Sequence, residues 1–215
     1  KYRYFFLTPD PKPSLIEFPL NVKKLDSLLI KPTFLPTNLI SPHQMNFAFV
    51  NIFTQANTVA DGNFDRLFVP FRCVASDIYG KEAIVFSQGV LGDAIRASMT
   101  YPFVYKPISI DGKLLFDGGI YNNFPVNVMR DEFKPDYIIG SNVSNPPQKP
   151  DESDLIQQIM NMVMTKADYS ISHEEGLLLD FNLDKYPGFD FSKVDELYRI
   201  GYDSTMKYIE EIKSR

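Results

Sequence analysis

The sequence predicts an α/β layered fold with a largely parallel central sheet flanked by helices. Three observations carry the prediction. The chain has 215 residues, 44% of them hydrophobic and 23% charged, which is enough for one sizeable core and far from disordered or disulfide-dense compositions. Strand-like apolar runs alternate along it with segments of helical period, the pattern of layered α/β proteins. The run FVPFRCVASDI, Phe68 to Ile78, is apolar almost throughout, as expected of a strand covered on both faces.

The elements follow in order. Tyr2 to Leu7 reads as a strand at the very start of a chain that opens without Met, so further sequence is expected ahead of Lys1. Residues 8–40 carry Pro9, Pro11, Pro13, Pro19, Pro32 and Pro36, with Pro42 just beyond, so that segment is expected to wrap the body without long elements. Ser41-Pro42 looks like a helix start, with Met45, Phe49, Ile52, Phe53 and Ala56 at helical spacing and an end near Asn57 to Asp61. After the Phe68 to Ile78 strand, Tyr79-Gly80-Lys81 is a turn and Ala83 to Phe86 the returning strand. Leu91 to Met99 reads as a short helix, followed by a hairpin of Val104 to Ile110 and Lys113 to Phe116 about the turn Asp111-Gly112.

Pro125 to Asp131 can open a helix, and Asp136 to Val143 is an apolar strand. Residues 144–154, SNPPQKPDESD, read as an exposed loop. A helix over about Leu155 to Tyr169, a strand at Leu177 to Leu183 and a helix over about Ser192 to Lys213 complete the chain. In the last, Val194, Leu197, Tyr198, Gly201, Thr205, Tyr208, Ile209 and Ile212 fall on one face. Residues 155–215 are therefore expected to pack as helices on the core.

Several functions are excluded or unsupported. A formal charge of −5 with no basic run beyond Lys23-Lys24 argues against nucleic acid as a partner. The single cysteine, Cys73, cannot form an internal disulfide and reads as core packing. His43 and His173 belong to no metal spacing, and no P-loop or G-x-G-x-x-G is present. Asp180, Asn182 and Asp184 imitate the start of a calcium loop, but Lys185 and Phe191 stand where Gly and Glu are needed.

One stretch invites chemistry. In LLFDGGIYNNFPV, Leu114 to Val126, Asp117 leaves a buried strand between an apolar run and two glycines that permit a tight turn. Two readings stay open from spacing alone. The carboxylate caps the amides of the next residues as an Asx-turn, or it is a reactive acid at a strand end, where α/β sheets gather their chemistry. Asn122 and Asn123 invite the same capping explanation.

The run from Gly89 to Val126 resembles the patatin-like phospholipase family. The resemblance rests on A-I-R-A-S (Ala94, Ile95, Arg96, Ala97, Ser98) with Pro102 soon after, on the I-D-G hairpin, and on D-G-G followed by Asn123 and Pro125. Flanking segments extend it to at least Phe64 to Val143. It implies a patatin-like layered sandwich and a lipid acyl hydrolase acting through a Ser-Asp dyad, without metal or cofactor. Asp117 would be the general base, with Gly118 and Gly119 as its supporting motif, and the substrate a lipid or other acyl ester. The sequence departs from the family in one respect: no Gly of the 215 residues is followed two positions later by Ser, so the G-x-S-x-G nucleophile elbow is absent, as is the glycine-rich oxyanion loop. Residues 1–215 are thus expected to be the C-terminal portion of a single patatin-like domain, completed by an N-terminal segment that carries the serine. Two alternatives remain: a non-catalytic lipid- or protein-binding module on a degenerate patatin fold, and a hydrolase of small soluble esters rather than one making peripheral contact with a membrane.

Overall fold

The computed structural model describes residues 39–144, 152–181, 183–186 and 191–215. The strand expected at Tyr2 to Leu7, the proline-rich segment up to residue 38 and most of the loop expected at 144–154 lie outside the described residues. The chain divides after Asn122 into two compact units.

The first unit opens with α1, Pro42–Val59, whose first helical residue is the proline that the sequence marks as a start. A four-stranded sheet follows, formed by β1 (Cys73–Asp77), β2 (Glu82–Phe86), β3 (Ile108–Ile110) and β4 (Lys113–Asp117) in the order β2-β1-β4-β3. All three pairings are antiparallel. The α/β class stands, with a sheet that is not fully parallel: the strands of this unit run antiparallel. Tight turns dictate that direction. At 79–81 and 111–112 the chain reverses within a few residues, a connection that only antiparallel neighbours can use. Asp111 and Gly112 sit at φ 50° and 76°, both left-handed, as a two-residue hairpin turn of the Asp-Gly type requires.

β1 is also shorter than its apolar run suggests. Pro70 has no amide to give to a ladder, and Phe68 and Val69 before it are exposed. From Val74 to Asp77 the strand is buried at every position. Pro107 likewise delays β3 to Ile108.

Helix α2, Leu91–Ser98, buries Leu91, Ala94, Arg96 and Ala97. Two clusters form the core of this unit. Phe64, Leu91 and Ala94 pack with Phe53, Phe71 and Cys73, which makes the cysteine a core residue as expected. Ala75, Ala97 and Leu115 pack with Ile84, Phe86 and Ile108. The small side chains of Ala75 and Ala97, both fully buried, let helix and sheet approach closely.

The second unit begins with α3, Val126–Val128, continued by a π-turn at Met129–Phe133 that Lys134 ends at φ 47°. β5 (Ile138–Asn142) and β6 (Gly176–Asp180) form a parallel pair. Between named strands, parallel pairing among the described residues is confined to these two, with one isolated parallel bridge in the first unit between Ile40 and Tyr105. A Cβ on Gly176 would lie 2.1 Å from the carbonyl oxygen of Ile138, so the pair needs glycine there. The Arg130 guanidinium forks onto the Glu175 carboxylate beside it.

α4 spans Leu155–Val163 and stops six residues short of the expected Tyr169. Beyond it Asp168 accepts the amide and hydroxyl of Ser170, a local turn that competes with helix. The final helix is broken into α5, Val194–Met206, and α6, Ile209–Lys213. Near the break the Thr205 hydroxyl donates to the Gly201 carbonyl at 2.8 Å, a bond that bends helices. Neither helix contains a buried residue, although Tyr137 reaches Glu211 of α6 at 2.8 Å.

Candidate functional site

Asp117 is the last residue of β4. Its backbone at φ −47°, ψ 131° leaves the strand and caps a 3₁₀ turn at Gly118–Ile120. The cap is made by Oδ1, which accepts the Gly119 amide at 2.8 Å. Both sequence readings therefore concern the same side chain: the Asx cap is present, and it uses one carboxylate oxygen. No hydrogen bond to Oδ2 is made among the described residues.

The turn after Asp117 is possible only because residue 118 has no side chain. A Cβ there would lie 2.3 Å from the Val74 carbonyl oxygen and 2.8 Å from its carbon. Gly118 thus lets the turn fold flat against β1, while Gly119 supplies the capping amide. Tyr121, the first residue beyond the 3₁₀ turn, and then Asn122 return their amides to the Gly118 carbonyl at 3.1 and 2.8 Å.

The backbone of Asp117 is held on its other side by Thr100, whose carbonyl accepts the Asp117 amide at 2.9 Å. Thr100 is fully buried, and its hydroxyl donates to the Arg96 carbonyl at 2.7 Å. Next in sequence, Tyr101 carries a half-buried phenol whose proton is held more tightly than usual, first by burial and then by the negative charge of Asp117. The Asp117 carboxyl is itself pushed above the ordinary carboxylate range. Burial is the larger cause, and the Gly119 amide opposes it. Asp117 is therefore a half-buried carboxylate of raised basicity, fixed through its backbone and through one oxygen.

The register with β1 says which hydroxyl can reach it. Residues in register share a sheet face, so Asp117 lies with Ala75 on one face and Phe116 with Ser76 on the other. The buried hydroxyl of Ser76, which has no hydrogen-bond partner among the described residues, is thereby directed away from the carboxylate. Asn123, which the sequence offers as a turn cap, instead donates to the Ser144 and Tyr169 hydroxyls at 3.0 and 2.8 Å.

Asp77 shows that burial alone does not define the site. It too is buried, but its Oδ1 accepts the Gly80 and Tyr79 amides at 3.0 Å each, and its Oδ2 lies 3.4 Å from the Lys113 ammonium. The Gly80 amide is the leading influence, and it holds the carboxyl below its ordinary range. Asp77 is a structural cap with a counter-ion; Asp117 has no cation against it among the described residues.

A cavity of about 380 Å³ in the first unit is lined mainly by residues of α1 and α2, including Phe49, Phe53 and Arg96, and does not include Asp117. Among the described residues no group of three or more His, Cys, Asp or Glu gathers to hold a metal, and no helix is long and apolar enough to cross a membrane. Sequence reasoning singled out Asp117 and its glycines but missed Thr100 and Tyr101. The A-I-R-A-S motif that ends two residues before Thr100 was the available signal.

A family model described as patatin-like phospholipase matches residues 9–130, more than half of the chain. An uncharacterized NTE family protein of Mycobacterium bovis is 40% identical over 62 residues, 29% of this chain and 17% of that protein. A lysophospholipase nte1 of Aspergillus terreus is 26% identical over 186 residues, 73% of this chain and 12% of that protein. A lysophospholipase NTE1 of Candida albicans is 23% identical over 224 residues, 91% of this chain and 15% of that protein. The chain spans less than a fifth of the length of these relatives.

Proposed function

The chain belongs to the patatin-like phospholipase family, and on that premise we propose that it supplies the general base, Asp117, of a lipid acyl hydrolase working through a Ser-Asp dyad. The observation that carries the reading is the state of that carboxylate. It stands at the end of a buried strand with raised basicity, held by Thr100 and Gly119, with no hydrogen bond to Oδ2 among the described residues. A serine hydroxyl is a weak nucleophile until a positioned base takes its proton, and a base of raised pKa is better matched to that transfer near neutral pH.

In the proposed reaction Asp117 Oδ2 accepts the hydroxyl proton as the serine oxygen bonds to the ester carbonyl carbon. The tetrahedral intermediate collapses, the alcohol leaves with the proton returned by Asp117, and the acyl group stays on serine. Water then repeats the sequence: Asp117 takes its proton, the acid departs and serine recovers its hydrogen. No metal or cofactor enters. Because no Gly in the 215 residues has a Ser two positions on, the serine and the oxyanion donors come from sequence outside them. The lysophospholipase relatives favour a lysophospholipid or similar lipid ester as substrate, presented at a membrane or micelle surface.

A second reading, a non-catalytic lipid- or protein-binding module, is favoured by the same missing elbow. The test is fluorophosphonate labelling of the 215 residues and of the whole protein from which they come. The proposal expects no label on the 215 residues and a serine adduct in the whole protein. Label on the 215 residues would overturn the half-site assignment, and a whole protein that takes no label and cleaves no ester would establish the binding module.

A further inference from the structure

The α2 to β3 connection, which carries the carbonyl that holds Asp117, is pinned at both ends by one residue. Arg96 is 8% exposed and sits in α2 facing the interior. Its main-chain carbonyl accepts the Thr100 hydroxyl at 2.7 Å, and its guanidinium Nη2 donates to the Lys106 carbonyl at 2.9 Å. Thr100, in turn, accepts the Asp117 amide at 2.9 Å, and Tyr101 follows it. Residues 100 and 106 thus bracket the loop that lies against the carboxylate, and both are tied to Arg96.

As a contribution to stability alone the arrangement is poor. Burial weakens the guanidinium's hold on its proton, with Asp93 at the exposed start of the helix in opposition. No carboxylate lies within ion-pair distance of Arg96 among the described residues, and its buried Nε–H has no acceptor. A buried cation held by one neutral carbonyl, with a donor left over, gains little net stability from its place, because no ion pair offsets its desolvation. What an apolar side chain cannot do is hold the Lys106 carbonyl.

We propose that Arg96 is a positioning residue for Asp117, acting through the Thr100 carbonyl and the 101–106 loop to fix where the carboxylate stands. The inference rests on the reading of Asp117 as the base, but its first readouts do not. Loosening the loop exposes Asp117 to water, which returns its carboxyl toward the ordinary range, since burial is the main cause of its elevation and the Gly119 amide and the Tyr101 phenol are the other groups that face it.

The experiment compares wild type with Arg96→Met, Arg96→Lys and Thr100→Val in the whole protein. It follows amide exchange at Asp117, the carboxyl titration of Asp117 by carbon NMR, and ester turnover. For Arg96→Met the expected result is a retained thermal midpoint. The Asp117 amide exchanges about tenfold faster while the β1–β2 ladder amides are unchanged, and the carboxyl titration moves down. kcat falls about 10- to 100-fold at constant KM. Arg96→Lys, which restores a donor for the Lys106 carbonyl, recovers part of each. If Arg96→Met fails to fold, Arg96→Lys carries the test, with a smaller selective change at Asp117 expected, while Thr100→Val reads the separate tie through the main-chain carbonyl of residue 96. Unchanged exchange and titration at Asp117, or an equal acceleration across Asp117 and the ladder, would overturn the proposal. A selective change at Asp117 with full turnover would uphold the linkage and overturn the assignment of Asp117 as base.

Discussion

Gly118 meets Val74 so closely that a single added carbon would lie 2.3 Å from the Val74 carbonyl oxygen. The atom in the way is backbone, in the middle of a buried strand, and cannot swing aside. Gly118→Ala should therefore cost about 2 kcal/mol or more, at the upper end of overpacking effects, read as a lowered denaturant midpoint. A midpoint within experimental error of wild type would mean that the turn after Asp117 is free to shift.

Asp117 should lower stability at neutral pH. Burial raises its folded pKa above the unfolded value, so the native state binds the proton more tightly than the unfolded chain does. Its contribution favours folding below the unfolded pKa and is lost as pH rises through the folded pKa. Asp117→Asn keeps an oxygen for the Gly119 amide and removes the charge, so it should raise the thermal midpoint at pH 7 and leave it unchanged at acid pH. A lower midpoint at pH 7 would show the carboxylate to be a stabilising cap.

The opposite sign applies to Asp77. The Gly80 and Tyr79 amides and Lys113 hold its carboxyl below the ordinary range, so its stabilisation is present above the unfolded pKa and is lost as pH falls through the folded pKa. Asp77→Asn should lower the midpoint at pH 7, with the difference from wild type vanishing in acid. Paired pH titrations of the two variants would thus diverge in direction.

Cys73 is pushed by burial up to about 12. The native thiol should react with iodoacetamide at pH 8 on the order of a thousandfold more slowly than in the unfolded chain. Equal rates before and after denaturant would place the thiol in water.

Elements marked by local chemistry were legible in the sequence. Ser41-Pro42 opened a helix as expected, and Asp111-Gly112 made the hairpin turn their left-handed φ values require. Strand direction was not legible. The apolar run into β1 correctly signalled a strand buried from Val74 to Asp77, but a central antiparallel strand covered on both faces carries the same pattern as a parallel one. Helix ends failed where side chains offered the backbone another partner, as Asp168 does after α4 and Thr205 before the break in α5.

The site divides in the same way. Asp117 and Gly118 are visible because the side chain, or its absence, is what the position needs. Thr100 holds Asp117 with a carbonyl that any residue possesses, so nothing in its identity reveals the role. Arg96 was visible as part of a motif, but its burial and its two ties to the 100–106 segment required coordinates.

The turnover of a lysophospholipid by the whole protein carrying Asp117→Asn tests the central assignment most directly. The variant keeps an acceptor for the Gly119 amide and loses only the base. Turnover about 10⁴-fold below wild type, in a protein that folds at least as well, is the predicted result, by analogy with loss of the orienting acid in serine triads. Turnover within about threefold of wild type would return Asp117 to the role of a turn cap, since a general base contributes at least about a hundredfold.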